Sequence, residues 1–268
     1  MKTATILGAI AGDVIGSGYE FEPMKNYHFE MFTPRQNYTD DTLMTISVSD
    51  LLMSCPERDT DKLVDIMRGI GRKYAAPCGG YGLSFAQWLK CKNPQPYNSW
   101  GNGSAMRVSA CGFAFDTLEE TLEAAKQSAI VTHNHPEGVK GAQATAAVIY
   151  LARNGKSKEE IKEYVTNTFG YNLDLTCDEI RPYYHFDVSC QGTVPESIIA
   201  FLESKDYEDA IRLTVSLGGD SDTMGAITGA MAIAFYKEMP DEIYDYAVSK
   251  LPKELLEIVE KFEEQYHL

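Results

Sequence analysis

Apolar positions recur with helical spacing through most of the chain. Between 4 and 16, Ile6, Leu7, Ile10 and Val14 share one face, and the small residues among them suit close packing against another helix. After Thr39-Asp40-Asp41-Thr42, the residues Leu43, Met44, Val48, Leu51 and Leu52 keep i, i+4 and i+8 spacing, and the helical period resumes over 59–74. Thr117 and Ser157 each stand three residues before a glutamate, Glu120 and Glu160, a capping signature that predicts helices over 122–131 and 161–169. Alanine-rich 141–152 reads as helix, as do 195–202, 207–217, 224–236 and 252–265. Only 186–190 carries a weak strand pattern, and neither a heptad run nor a repeat of fixed period is present. These periods predict an all-α fold of roughly ten or more helices, arranged as a single compact multi-helix domain over 1–268.

The interruptions between helices hold the candidate chemistry. Glu20 and Glu22 flank Phe21 in a turn that Pro23 closes, and in isolation they read as solvated loop charge. Two glycine-rich breaks follow, Pro77-Cys78-Gly79-Gly80-Tyr81-Gly82 and Asn98-Ser99-Trp100-Gly101-Asn102-Gly103-Ser104. Each reads first as a turn, although glycine also lets backbone N–H groups approach a phosphate. Trp100 reads first as a core residue, and an aromatic in such a loop can also stack on a base. His133 and His135 lack the third His or Cys that a zinc site needs.

The least ordinary stretch is Leu217-Gly218-Gly219-Asp220-Ser221-Asp222-Thr223, which places two carboxylates and two hydroxyls immediately before an apolar small-residue helix. An acid at that position suits the first free N–H groups and the positive end of the dipole, but one acid is enough for that. The surplus carboxylate suggests a cation. Thr39-Asp40-Asp41-Thr42 repeats the composition far upstream, so capping and metal binding both stand as readings, and the second requires the two acidic helix starts to meet.

Composition narrows the class. With 44% hydrophobic and 24% charged residues the chain is an ordinary globular sequence. A formal charge of −15 without a basic run argues against a nucleic-acid surface and against anionic membranes. The six cysteines are irregularly spaced with no C-x-x-C pair, which predicts free, mostly buried thiols in a reducing, cytoplasmic setting. The apolar start is too short and too small-sided for a signal peptide, and no stretch approaches the ~18 to 20 apolar residues of a membrane span. A monomer is the default expectation.

The blocks Gly12-Asp13-Val14-Ile15-Gly16-Ser17-Gly18-Tyr19-Glu20-Phe21, Thr39-Asp40-Asp41-Thr42, Gly80-Tyr81-Gly82, Gly101-Asn102-Gly103-Ser104-Ala105-Met106-Arg107, Thr132-His133 and Gly218-Gly219-Asp220-Ser221-Asp222-Thr223 together resemble the ADP-ribosylglycohydrolase family. The resemblance implies two Mg²⁺ or Mn²⁺ ions held by Thr39, Asp40, Asp41, Asp220, Asp222 and Thr223, an oxygen-only set that suits hard cations. It further implies Glu20 and Asp41 as catalytic carboxylates, and Ser99, Trp100, Gly101, Asn102 and His133 as contacts to ADP-ribose. The implied reaction is hydrolysis at the anomeric carbon of an ADP-ribosyl group on a protein or small molecule. A dinuclear-metal phosphoesterase and a non-catalytic ADP-ribose-binding relative are the alternatives. Which leaving group the enzyme takes, among arginine, serine, O-acetyl and a base, is not legible.

Overall fold

Residues 1–74 and 78–267 are described by a computed structural model. Fifteen helices form among them: α1 (Ile6–Gly16), α2 (Asp40–Ser54), α3 (Thr60–Lys73), α4 (Leu83–Lys90), α5 (Gly103–Met106), α6 (Ser109–Ala114), α7 (Leu118–Ile130), α8 (Pro136–Arg153), α9 (Lys158–Phe169), α10 (Cys177–Ile180), α11 (Cys190–Glu203), α12 (Tyr207–Val215), α13 (Ser221–Tyr236), α14 (Asp241–Lys250) and α15 (Lys253–Gln265). The described residues contain no strand, only isolated bridges joining Lys2 to Met239 and Gly101 to Ser189. The fold is all-α. None of these helices is long and apolar enough to cross a membrane.

The small residues of the first helix explain the centre of the molecule. Gly8, Gly12 and Gly16 recur every four residues and so line one face. They meet Gly229, Gly225 and Ser221 in that order, which makes α1 and α13 antiparallel. A Cβ on Gly12 would lie 1.9 Å from the Gly225 carbonyl oxygen, and one on Gly225 would lie 2.3 Å from the Gly12 carbonyl oxygen. The two backbones therefore touch, closer than any side chain permits. Both helices are buried almost all round, and the apolar side chains of the surrounding helices join them in a continuous core. The N-terminus of α1 is satisfied from the far end of the chain: the Glu263 carboxylate on α15 accepts from Thr5 N at 2.6 Å and Leu7 N at 2.9 Å. Burial pushes that carboxyl up and these bonds pull it back.

Caps follow the sequence in most places. Thr39 Oγ1 accepts from Asp41 N at 3.1 Å to start α2, and Ser157 with Glu160 closes a full reciprocal box on α9. At α7 only half of the expected box forms. Thr117 accepts from Glu120 N, while the Glu120 carboxylate takes the Thr117 hydroxyl rather than its N–H.

Three expectations are corrected. The stretch 186–190 is not a strand, because its pairing stops at the single bridge to Gly101 and Cys190 already begins a helix. That helix, α11, starts five residues before Pro195, with Ser189 as its cap, and carries the proline inside. Trp100 is not core: it is 48% exposed, whereas Trp88 is the buried tryptophan. Helices α4, α5, α6, α10 and α14 were not anticipated. All six cysteines are free, four of them buried. Pro77, where the first glycine-rich break begins, lies outside the described residues.

Candidate active site

The antiparallel crossing of α1 and α13 brings the C-terminal end of one to the N-terminal end of the other, so the turn after α1 arrives at the start of α13. Glu20, Asp220 and Asp222 each offer a carboxylate oxygen there, all within 4.8 Å of one another. Asp40, Asp41 and Thr223 line the same cleft, of about 490 Å³. The two acidic helix starts separated in sequence thus face one space.

Several of these side chains are not consumed by local structure. Asp220 occupies the N-cap of α13 but makes no capping bond; its Oδ2 instead accepts from Asn102 Nδ2 at 2.7 Å. Glu20 Oε2, Asp41 Oδ1 and Asp222 Oδ1 are buried and have no hydrogen-bond partner. A buried carboxylate oxygen without a donor is costly unless a cation or proton meets it. Glu22 behaves differently: it lies in solvent, paired with Arg35 at 2.5 Å. The solvated reading therefore fits Glu22 and does not fit Glu20.

Electrostatics agree. Burial first, then the Asp222 charge, pushes Glu20 up to about 8, Asp40 up to about 8 and Asp13 up to about 7; Asp41 and Asp220 rise well above the carboxylate range for the same two causes. Asp222 is the charge common to all of them. Unpartnered oxygens, an oxygen-only donor set and mutual repulsion fit hard divalent cations, which remove the repulsion and complete the hydrogen-poor shell.

Two of the predicted ligands stand differently. The Thr39 hydroxyl donates to Asp13 Oδ1 at 2.7 Å while capping α2, and Thr39 does not line the cleft. Thr223 Oγ1 points toward Met106 Sδ at 3.8 Å. Asp13, which sequence reasoning passed over as a site residue, is fully buried beneath them and accepts from Thr39 N, Thr39 Oγ1, Thr42 N and Thr42 Oγ1. It fastens the start of α2 to α1. The available signal was a lone charge inside the otherwise apolar helix Ile6–Gly16.

Away from the acids the lining carries no carboxylate and is rich in donors. Ser99, Gly101, Asn102 and His133 lie here, with Tyr97 and Arg107, two further lining residues that were not expected as ADP-ribose contacts. The loop is held by 186–190: Asn102 N donates to Val188 O at 2.7 Å and Cys190 N to Trp100 O at 3.0 Å. Trp100 contributes this carbonyl, and its side chain is not among the lining groups. His133 Nε2 sits over the glycine turn, 3.0 Å from where a Cβ on Gly103 would be. Asn102 reaches both ends, with its backbone in the loop and its amide on Asp220. Gly80 and Gly82 border the acidic end, and the exposed side chains of Phe21 and Leu83 stand at its mouth.

A sequence model described as ADP-ribosylglycohydrolase matches residues 3–267. The human protein "ADP-ribosylhydrolase ARH3" is 26% identical over 309 residues, covering 86% of this chain and 84% of its own length. "ADP-ribosylarginine hydrolase Tri1" of Pseudomonas putida (strain GB-1) is 26% identical over 285 residues, covering 94% of this chain and 76% of its own. Among solved structures, an "ADP-ribosylglycohydrolase-related protein complex" superposes with a TM-score of 0.75 at 22% identity, over 97% of this chain and 96% of that one, which shows a shared fold.

Proposed function

The chain belongs to the ADP-ribosylglycohydrolase family, hydrolases that act on ADP-ribosyl groups, and on that premise we propose that it is a metal-dependent hydrolase cleaving the glycosidic or ester bond at the anomeric carbon of an ADP-ribosyl group. The product is free ADP-ribose, released from a modified protein or small molecule by one domain spanning the chain. The observation that carries this reading is one cleft that gathers the carboxylates of Glu20, Asp40, Asp41, Asp220 and Asp222, three of them with an unpartnered oxygen, together with a donor-rich stretch free of acids.

Asp40, Asp41, Asp220, Asp222 and Thr223 would hold two Mg²⁺ or Mn²⁺ ions, with Thr39 contributing through its backbone position and its cap on Asp41. Bound there, the ions supply Lewis-acid polarisation and lower the pKa of water. The chain's own residues do the rest. Asn102 fixes Asp220 by a donated bond, which orients that carboxylate. Ser99, Gly101 and His133 bind the ADP-ribosyl group away from the acids, with Trp100 beside the loop as an accessible aromatic face. Glu20, with one oxygen buried and unpaired, takes or returns the proton of the attacking water or leaving group, and its burial favours the protonated form that such a role passes through. Asp41 assists as the buried carboxylate behind it.

A direct test measures ADP-ribose release from arginine, serine and O-acetyl linkages, with Mg²⁺, Mn²⁺ or chelator, for the native chain and Asp222→Ala. Metal-dependent release that vanishes in the variant supports the reading and names the leaving group. Release of AMP or phosphate instead would identify a phosphoesterase, and binding of ADP-ribose without release of any product would identify a binding protein.

A further inference from the structure

Among the described residues Arg107 is the largest fully buried side chain, and no carboxylate there pairs with it. Its guanidinium instead donates to the carbonyl of Ser128 at 2.7 Å and to Thr132 Oγ1 at 2.8 Å, with a longer bond to the carbonyl of Ala129 at 3.5 Å. Ser128 and Ala129 close α7, so the cation sits at the negative end of that helix, where a buried charge finds partial compensation. Burying an arginine to grip a helix end is expensive, and its third partner suggests a purpose beyond packing.

That partner is a hydroxyl with one proton. Thr132 Oγ1 bonds Arg107 on one side and His133 Nδ1 at 2.7 Å on the other. Arginine only donates, so the hydroxyl accepts from it; of these two partners only Nδ1 can accept in turn, and turning the Thr132 hydrogen to it pairs that hydrogen, whereas an Nδ1–H would not. Nδ1 is then an acceptor. The ring is held neutral, because burial and the adjacent Arg107 both drive its pKa well below the ordinary value. A neutral imidazole accepting at Nδ1 carries its hydrogen on Nε2, the edge that faces Gly101 and Gly103 in the cleft. The His133 backbone is anchored to the same turn, its N–H donating to Ala129 O at 2.7 Å, and the Tyr97 ring lies beside it at 5.9 Å between centroids.

We propose that Arg107 and Thr132 are positioning residues that hold His133 as the Nε2–H tautomer, presenting that N–H to the cleft as a fixed hydrogen-bond donor for an oxygen of the ADP-ribosyl substrate. The identity of the acceptor rests on the function proposed above, whereas the tautomer rests only on the chain. A donor fixed before the substrate arrives loses little freedom on binding, and a tautomer mixture would present an acceptor to the phosphate or ribose oxygens part of the time.

The experiment records long-range ¹H–¹⁵N correlations of the full chain labelled at histidine, with His133 assigned by comparison with His133→Gln. The native ring is expected to show protonated Nε2 and bare Nδ1. Thr132→Val, which keeps the shape and removes the hydroxyl, is expected to give a mixture of tautomers and roughly tenfold weaker ADP-ribose binding by calorimetry; Thr132→Ser restores both. Arg107→Lys, which keeps the charge and loses the fork, shifts the tautomer in the same direction as Thr132→Val. A native spectrum with protonated Nδ1 overturns the proposal whatever the variants do, as does a Thr132→Val spectrum identical to native. If the native tautomer and its loss in Thr132→Val are as expected but the native chain binds no ADP-ribose, the positioning stands and the proposed function fails.

Discussion

Asp13 and Thr42 are joined twice: one carboxylate oxygen of Asp13 accepts from Thr42 N at 3.1 Å and from Thr42 Oγ1 at 2.5 Å, across helices that begin 34 residues apart, at Ile6 and Asp40. With Thr39 donating twice more, four donors converge on a carboxylate that has no exposure to solvent. Asp13→Ala leaves those donors buried and unpaired, and should cost about 3 kcal/mol. Thr42→Val removes one donor and should cost about 1 kcal/mol. Urea unfolding of the two variants checks the order; equal costs would show that Asp13 does not act through this clamp.

The contact between α1 and α13 makes a sharper claim. Gly12→Ala places a methyl 1.9 Å from the Gly225 carbonyl oxygen, and neither backbone can retreat without moving a helix. A loss of at least about 3 kcal/mol, or failure to accumulate as folded protein, is expected. Gly69→Ala is the control. It lies within α3, nothing stands within 4 Å of its added Cβ, and the change should stabilise by about 0.5–1 kcal/mol. Thermal melts of the pair, monitored by circular dichroism, test both signs.

Asp222 repels every other acid in the cluster, so its removal should separate stability from cation binding. Asp222→Asn is expected to melt above the native chain when both are stripped with chelator. Added Mn²⁺ at a free concentration 100-fold above its Kd should stabilise the native chain by about 2.7 kcal/mol for each site filled, and should leave the variant unchanged. A Mn²⁺-independent melting temperature in the native chain would argue against a cation site altogether.

Glu196 on α11 supplies a pH signature away from the cluster. Burial and, less strongly, Asp187 push its carboxyl from 4.5 up to about 7, and its Oε2 has no hydrogen-bond partner. The folded state holds this proton more tightly than the unfolded chain does. The contribution is therefore complete below pH 4.5 and is lost as the pH rises toward 7, with a ceiling of about 3 kcal/mol. Glu196→Gln should match the native chain near pH 4 and exceed it near pH 8, both in chelator. Parallel stability curves across that range would contradict the assignment.

What the sequence made legible was whatever is written locally. Helical period and caps placed the long helices, and the two acid-rich helix starts announced themselves by holding more carboxylates than a cap can use. Pro195 misled because a proline reads as a helix start, yet α11 accepts it one turn in, at the loss of a donor to the Gln191 carbonyl. Helix α14 buries only Ile243 and Ala247, too thin a stripe to stand out. Trp100 went the other way: its type suggested burial, but the loop turns its carbonyl inward and leaves the ring outside. The pairings that assemble the cleft were out of reach for a different reason. Asn102 to Asp220 spans 118 residues and Thr39 to Asp13 spans 26, and nothing local in either partner names the other.

The glycine contact also bears on synthesis. Gly8 and Gly229 are far apart in sequence, so their contact waits for all the chain between them, and the cap on the same helix waits longer still, for Glu263, 258 residues beyond Thr5. Until then α2 can already be fastened to the segment 6–16 through Asp13, but the glycine face is uncovered and the beginning uncapped, exposed to chaperones and to neighbouring nascent chains. A chain interrupted before residue 220 lacks Asp220, Asp222 and the face of α13 that covers the glycines of α1, so such truncation products should be insoluble rather than partly active.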